Sequence, residues 1–337
     1  MEAPLVSVIA LCHNHAPYLE QALWSVVGQT HPCVELLIVD DASHDVSKVR
    51  IIEWMEEYYH ECARQGSKPR AIRTFFFEEK QGNCRAFNHA LRWAKGKYVI
   101  DFSTDDVLLN THIEAHVRVL EQHPQAGVSF SNAWYIDEQG KVLGTHYPVD
   151  AAEHAKVQVP SGNVKAAILH SAFICTPTMV MRSALLHRLQ GYDETLSYED
   201  FDFWVRAASC TSFLFVDACT VMKRQLRTSH NSGFYAPPPN AHLRSTLQVT
   251  YKALSLCQTE EEYRALARRT FYHWRLAMYV GDKKAAQGFE QVLRFPALRR
   301  HLSPFARIIG KLLSLGYWRP AYLLYRRCCD WLLRRLR

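Results

Sequence analysis

An alternation of short apolar runs with segments of helical period constrains this chain more than any other feature. Residues 5–11 (LVSVIAL) and 34–39 (VELLIV) are continuous apolar runs of strand length, and further runs lie near 72–77, 97–102 and 127–131. Between the first two, Pro17 suits the first turn of a helix that carries Leu19, Ala22, Leu23 and Val26 on one face. Asp45 opens a second helix, in which Val49, Ile52, Trp54, Met55 and Tyr59 approximate the helical period. A third helix is predicted over 84–94, ended by Gly96, and a fourth up to about Gln122. Buried strands alternating with helices predict right-handed crossovers and a mostly parallel, doubly wound α/β sheet.

Such a sheet binds ligands beyond the carboxyl ends of its strands. Polar clusters stand at those ends here: His13-Asn14-His15 after the first run, Asp40-Asp41-Ala42-Ser43 after the second, and Ser103-Thr104-Asp105-Asp106 after the one at 97–102. Asp, Asn and Ser also cap helices, and capping does not exclude binding. Two adjacent carboxylates repel unless a cation or hydrogen-bond donors hold them, and Mg²⁺ or Mn²⁺ takes carboxylate oxygens while bridging to phosphates. No GxxxxGK[ST] and no GxGxxG follows the first strand, so a metal-held diphosphate suits the chain better than a glycine-loop cradle.

The run VSVIALCHNHAPYLEQALWSVVGQTHPCVELLIVDDASHD resembles the opening of family 2 glycosyltransferases, inverting enzymes of the GT-A fold. Gly82 with Asn88, GKYVIDFSTDD at 96–106, GYDETLSYEDFDFWVRAA at 191–208 and RTSHNS at 227–232 follow in the order that family shows. The resemblance spans about residues 4–235. It implies that Asp41 receives a uracil imide, that Asp40 braces the turn, and that Asn14 lines the base and ribose pocket. Asp105 and Asp106 would bind ribose and a single Mn²⁺ or Mg²⁺, the first Asp of the usual DxD being Ser103 here. Asp200 would be the general base, with Glu199 orienting acceptor or metal water; an acidic helix start is the plain alternative for this pair. His230 and Arg227 match positions near metal and diphosphate, and Lys223 and Arg224 either meet the diphosphate or form a solvated basic loop. A nucleotidylyltransferase and a catalytically silent glycan- or partner-binding protein on the same fold are the rival readings. The donor implied is a nucleotide-sugar, most simply UDP-linked, and the acceptor a glycan or lipid-linked glycan.

The carboxyl end is a different object. The net charge of +7 divides into +9 for residues 290–337, which hold 11 basic and 2 acidic residues, and −2 for the remainder. After Pro237-Pro238-Pro239 the pattern turns helical, with helices predicted over 242–257, 260–280, 283–293, 297–315 and 318–336, so a catalytic domain over 1–236 and a basic helical region over 237–337 are expected. Trp318, Tyr322, Tyr325, Cys329, Leu332 and Leu336 share one stripe beside Arg319, Arg326, Arg327, Arg334 and Arg337. That arc suits an anionic membrane surface, while packing on the catalytic domain or in an oligomer accounts for the apolar stripe equally. No nucleic-acid recognition motif is present, and nucleic acid is not an expected partner. No apolar run reaches the roughly 18 to 20 residues that cross a bilayer. The ten cysteines show no CxxC pair and read as reduced core thiols, so the expected compartment is cytosolic, peripheral to the membrane if the tail binds it.

Overall fold

The computed structural model describes residues 3–226 and 230–302, without the side chains of 230–232. Contacts divide the chain into two units, one of residues 1–164 and 173–227, the other of 165–172 and 228–337.

The first unit opens with the alternation expected. Strand β1 (Val6–Cys12) leads to α1 (Leu19–Val27), β2 (Val34–Asp40), α2 (Ser47–Gln65), β3 (Ala71–Phe76), α3 (Asn83–Leu91) and β4 (Tyr98–Ser103). The chain continues through β5 (Val107–Leu108), α4 (His112–Gln122), β6 (Ala126–Ile136), β7 (Val142–Thr145), α5 (Lys165–His170), β8 (Val180–Arg182), α6 (Ser183–Arg188), α7 (Asp200–Ala208) and β9 (Ser212–Arg224). The nine-stranded sheet runs β3-β2-β1-β4-β8-β6-β9-β5, with β7 beside β6. Its long pairings, β1 with β2 and β4, β2 with β3, and β6 with β9, are parallel. The antiparallel pairings of β4 and β6 with β8, β5 with β9, and β6 with β7 register only two or three residues each. The sheet is therefore mixed, with a parallel frame around β1 that aligns the carboxyl ends of β1, β2 and β4.

Leu19, Ala22, Leu23 and Val26 are all buried, as the period of α1 predicts. In α2 the buried face is Ile51, Trp54, Tyr58 and Cys62, whereas Val49, Ile52 and Tyr59 face solvent, so the predicted stripe is corrected by a rotation of about one residue. Trp54 stacks on Tyr58, and Trp24 of α1 meets both edge-on, which selects that face. Gly96 does not end α3, which stops at Leu91. A Cβ on Gly96 would lie 2.5 Å from the Ser7 amide nitrogen, so its absence lets the start of β4 close against β1.

In the second unit, α8 (Ala241–Leu256), α9 (Glu260–Val280), α10 (Lys283–Leu293) and α11 (Pro296–Arg299) pack around Leu243, Trp274, Ala277 and Phe289. Thr259 and Glu262 cap α9 reciprocally. Helix α5, which precedes β8 in sequence, belongs to this unit: Lys165 is buried, reaches the Leu256 carbonyl at 2.5 Å and pairs with Glu262 at 3.1 Å. Among the described residues no helix is long and apolar enough to cross a membrane, and the eight cysteines are free thiols, six of them buried. The basic stripe at 318–336 lies outside the described residues.

Candidate active site

The loops after β1 and β2 fasten each other. Asn14 takes the left-handed conformation at φ 60°, which Asn tolerates better than most residues. Its Oδ1 accepts the His44 amide at 2.8 Å and the Asp45 amide at 3.3 Å, while its own amide donates to Ser43 Oγ at 2.9 Å. Asp40 is buried and accepts from the Ser43 hydroxyl and amide, bracing the turn. Asp41, also buried, accepts one backbone amide on each carboxylate oxygen, from Gln81 at 2.6 Å and Gly82 at 2.8 Å. The loop before α3 is thereby tied to the end of β2.

Beyond β4, the Thr104 amide and hydroxyl both donate to the Leu11 carbonyl, at 3.0 and 3.1 Å, locking this turn to β1. Ser103 Oγ donates to Asp105 Oδ1 at 2.5 Å, and His15 Nδ1 stands 4.0 Å from the same oxygen. Asp105 keeps 17% of its side chain exposed, whereas Asp106 is buried and accepts the Arg224 amide at 2.7 Å. Burial first, and then Asp105 beside it, raise the pKa of Asp106 well above the carboxylate range, against the opposing pull of Lys223 and Arg224.

A third acidic group gathers where the 191–200 segment meets β4. Gly191 has φ 69°, and a Cβ there would lie 2.2 Å from Asn88 Oδ1, so the position requires glycine. Asn88 receives the Tyr192 amide at 2.9 Å and donates to the Tyr192 carbonyl at 2.8 Å. Arg206 holds the other flank, donating to the carbonyls of Leu189 and Gly191 and pairing with Asp202 at 2.7 Å. So placed, Tyr192 stacks on Phe87 and its hydroxyl donates to Asp101 Oδ2 at 2.9 Å. Glu199 precedes the first turn of α7, and Asp200 opens it, its Oδ2 accepting from Thr176 Oγ1 at 3.4 Å. Burial, then Asp101 and Asp200, push Glu199 up to about 8. Burial and Asp200 push Asp101 up to about 7, although the Tyr192 hydroxyl opposes the rise.

The family model described as glycosyl transferase family 2 matches residues 7–188, more than half of the sequence. The chain belongs to this family. An uncharacterised glycosyltransferase of Methanocaldococcus jannaschii is 27% identical over 61% of this chain and 65% of its own length. One of Rickettsia bellii is 25% identical over 68% of this chain and 31% of its own. The chain thus spans from about a third to just under two thirds of these curated relatives. Among solved structures, a fragment of S. aureus TarS in complex with UDP-GlcNAc superimposes with a TM-score of 0.71 at 18% identity, covering 96% of this chain and 92% of that one. The mannosyltransferase PcManGT from Pyrobaculum calidifontis, in complex with GDP-Man and Mn2+, gives 0.56 at 16% identity over 99% and 86%. The fold is GT-A.

For this family 2 chain, the strand ends bring Asn14, Asp41, Asp105 and Asp106 onto one edge of the sheet, while Glu199 and Asp200 join Asp101 in the third acidic group. Arg227 and the side chain of His230 lie outside the described residues; His230 opens a 3₁₀ segment, His230–Tyr235. Among the described residues no three His, Cys, Asp or Glu side chains converge to hold a metal. Asp106 is turned to the Arg224 amide, which leaves Asp105 as the accessible carboxylate of its pair. The described side chains do not fit an ion held by the protein alone. Asp101 and Tyr192 escaped the sequence reading: Asp101 sits inside an apolar strand run, and its partner is 91 residues away. Arg224, read as a loop residue, is the buried last residue of β9.

Proposed function

We propose that this chain is an inverting glycosyltransferase, moving a sugar from a nucleoside-diphosphate sugar to a hydroxyl of a glycan or lipid-linked glycan. The observation that carries the reading is the Glu199-Asp200 pair at the start of α7, gathered with Asp101 in the same unit as the strand-end carboxylates. UDP is the nucleotide of choice, supported by the likeness to TarS solved with UDP-GlcNAc. Catalysis is assigned to residues 1–236, with 237–337 as a helical appendage.

Asp200 takes the acceptor proton as the acceptor oxygen bonds to the anomeric carbon, from the face opposite the bond to the diphosphate. That bond breaks with its electron pair on the departing UDP. Glu199, with a pKa pushed to about 8, carries a proton near neutrality and serves as a hydrogen-bond donor to the acceptor rather than as a second base. Asp41 faces the uracil imide through the lone pairs its two amides leave open, and Asn14 shapes the base pocket through its left-handed turn. Asp105 meets the ribose. Asp105 is the residue that would hold a Mn²⁺ or Mg²⁺ shared with the diphosphate, and the ion would neutralise charge on phosphate oxygens. His230 and Arg227 are assigned to the same phosphates. The enzyme works in the cytosol, and the stripe from Trp318 to Arg337 either meets an anionic membrane surface or packs on the enzyme or a second subunit.

The test is UDP release from UDP-GlcNAc, with GDP-mannose as the comparison donor, alongside calorimetric UDP binding with and without Mn²⁺. Asp200→Asn is expected to lower turnover by about 10²–10⁴-fold while UDP binding is retained. Unchanged turnover in that variant removes Asp200 as the base. A protein that binds donor yet never releases nucleotide is the silent binding module instead.

A further inference from the structure

Strand β9 ends on two adjacent cations that the fold treats differently. Arg224 is buried, and four of its five N–H donors are engaged. Its guanidinium donates to the carbonyls of Asp105, Asp137 and Glu138 and to Gln21 Oε1, at 2.8–3.0 Å, and lies 4.5 Å over the Tyr18 ring. Lys223, in register with Tyr135 of β6, is partly exposed. Among the described residues its ammonium has no carboxylate within ion-pair distance and no hydrogen-bond acceptor. Yet two of the site's carboxylates act on it, Asp106 after β4 and Asp200 at the head of α7, together with Cys175 and Tyr135. Burial opposes its charge, but these four groups outweigh burial and raise its pKa, so the cation persists at any working pH.

A diphosphate entering beside the carboxylates of Asp105 and Asp200 meets repulsion unless a cation is already present. The described side chains do not gather a metal by themselves, and buried Arg224 spends four of its five N–H donors on Asp105, Asp137, Glu138 and Gln21. We propose that Lys223 is a catalytic residue whose ammonium binds the donor's diphosphate and balances the charge on the departing nucleoside diphosphate. This rests on the nucleotide-sugar reading above. As the sugar's bond to the diphosphate oxygen breaks, the electron pair stays on that oxygen; the acceptor proton goes to Asp200, and Lys223 keeps its own proton while donating hydrogen bonds. Its place on a strand end beside the Asp106 turn, rather than on a loop, fixes the charge before the ligand arrives.

The experiment compares the full chain with Lys223→Gln and Lys223→Arg, measuring UDP binding by calorimetry in Mn²⁺ and in EDTA, and uridine binding by ligand-observed NMR. Lys223→Gln should bind UDP roughly 10–100-fold more weakly in both conditions while uridine binding stays unchanged, and Lys223→Arg should recover part of the loss. UDP affinity unaltered in Lys223→Gln overturns the proposal, as does an equal loss for uridine, which would mark a structural role. If the unaltered protein binds neither UDP nor GDP, the nucleotide-sugar reading falls and takes the proposal with it.

Discussion

Asp41 and Asp106, at the ends of the parallel strands, are met by backbone amides before any ligand is present: two on Asp41 and one on Asp106, the last belonging to an arginine with four further hydrogen bonds of its own. Asp101 and Glu199 are met mainly by each other, by Asp200 and, for Asp101, by one neutral tyrosine hydroxyl. The first side is a wall whose polar atoms also join loops to strands, so its geometry belongs to the fold. The second is a concentration of like charge whose protonation depends on what enters. A transferase needs both, a rigid seat for the nucleotide and carboxylates poised to titrate near neutral pH.

Arg224→Ala strikes at the wall and carries the largest expected effect. It leaves Asp106 buried beside Asp105 without a guanidinium, and leaves the carbonyls of Asp105, Asp137 and Glu138 without their donor. A loss of about 3–5 kcal/mol in urea unfolding is expected. Arg224→Lys should recover little, because one ammonium cannot reach acceptors spread across a planar fork. A cost below about 1 kcal/mol, the level of an exposed pair, would erase the contrast between the two sides.

The wall was largely legible in the sequence, and the acidic group beside it only in part. Strand ends carrying His-Asn-His, Asp-Asp-Ala-Ser and Ser-Thr-Asp-Asp announce themselves because the preceding runs are apolar and the turns are local. Asp101 carries no such signal: in YVIDFS it alternates like any strand residue, and its meaning comes from Tyr192, which Asn88, Gly191 and Arg206 deliver from other elements. Asp217 breaks the apolar pattern of SFLFVDACTVMKR, so Lys223 and Arg224 read as loop although β9 runs through them. Helix α5 was invisible for another reason: six residues hold too little period to detect, and its place is decided by Lys165 meeting Glu262 almost a hundred residues on. The α2 stripe was offset because Ile51 and Ile52 offer overlapping faces, and only the Trp24–Trp54–Tyr58 contacts choose between them.

The acidic group predicts a pH effect of definite sign. Glu199 is raised from 4.5 to about 8 and Asp101 from 3.8 to about 7, so the folded state holds these protons more tightly than the unfolded chain. Their contribution is whole below about pH 4 and is lost as pH rises through 7 and 8, at up to about 1.4 kcal/mol per pH unit for each proton retained. Asp101 acts directly on Glu199, so their losses do not add. Glu199→Gln, which mimics the protonated acid, should raise the melting temperature relative to the unaltered chain at pH 8.5 and change it little at pH 5. An equal shift at both values would show that Glu199 stays ionised throughout, like an ordinary surface carboxylate.

Tyr192→Phe is the finest probe and the smallest effect. It keeps the ring on Phe87 and deletes only the hydroxyl that donates to Asp101, at a cost of about 1 kcal/mol. The hydroxyl favours ionised Asp101, so its loss lifts that pKa further above 7 and leaves Asp101 protonated over a wider range. With less negative charge beside them, Glu199 and Asp200 are relieved of part of their repulsion, and the acid limb of kcat/KM for donor turnover should move to lower pH. Asp101 and Tyr192 would then be positioning residues, acting on the base through charge without touching substrate. A variant that loses stability but keeps the pH profile in place confines the tyrosine to packing; one that moves the limb shows that the acidic group titrates as a unit.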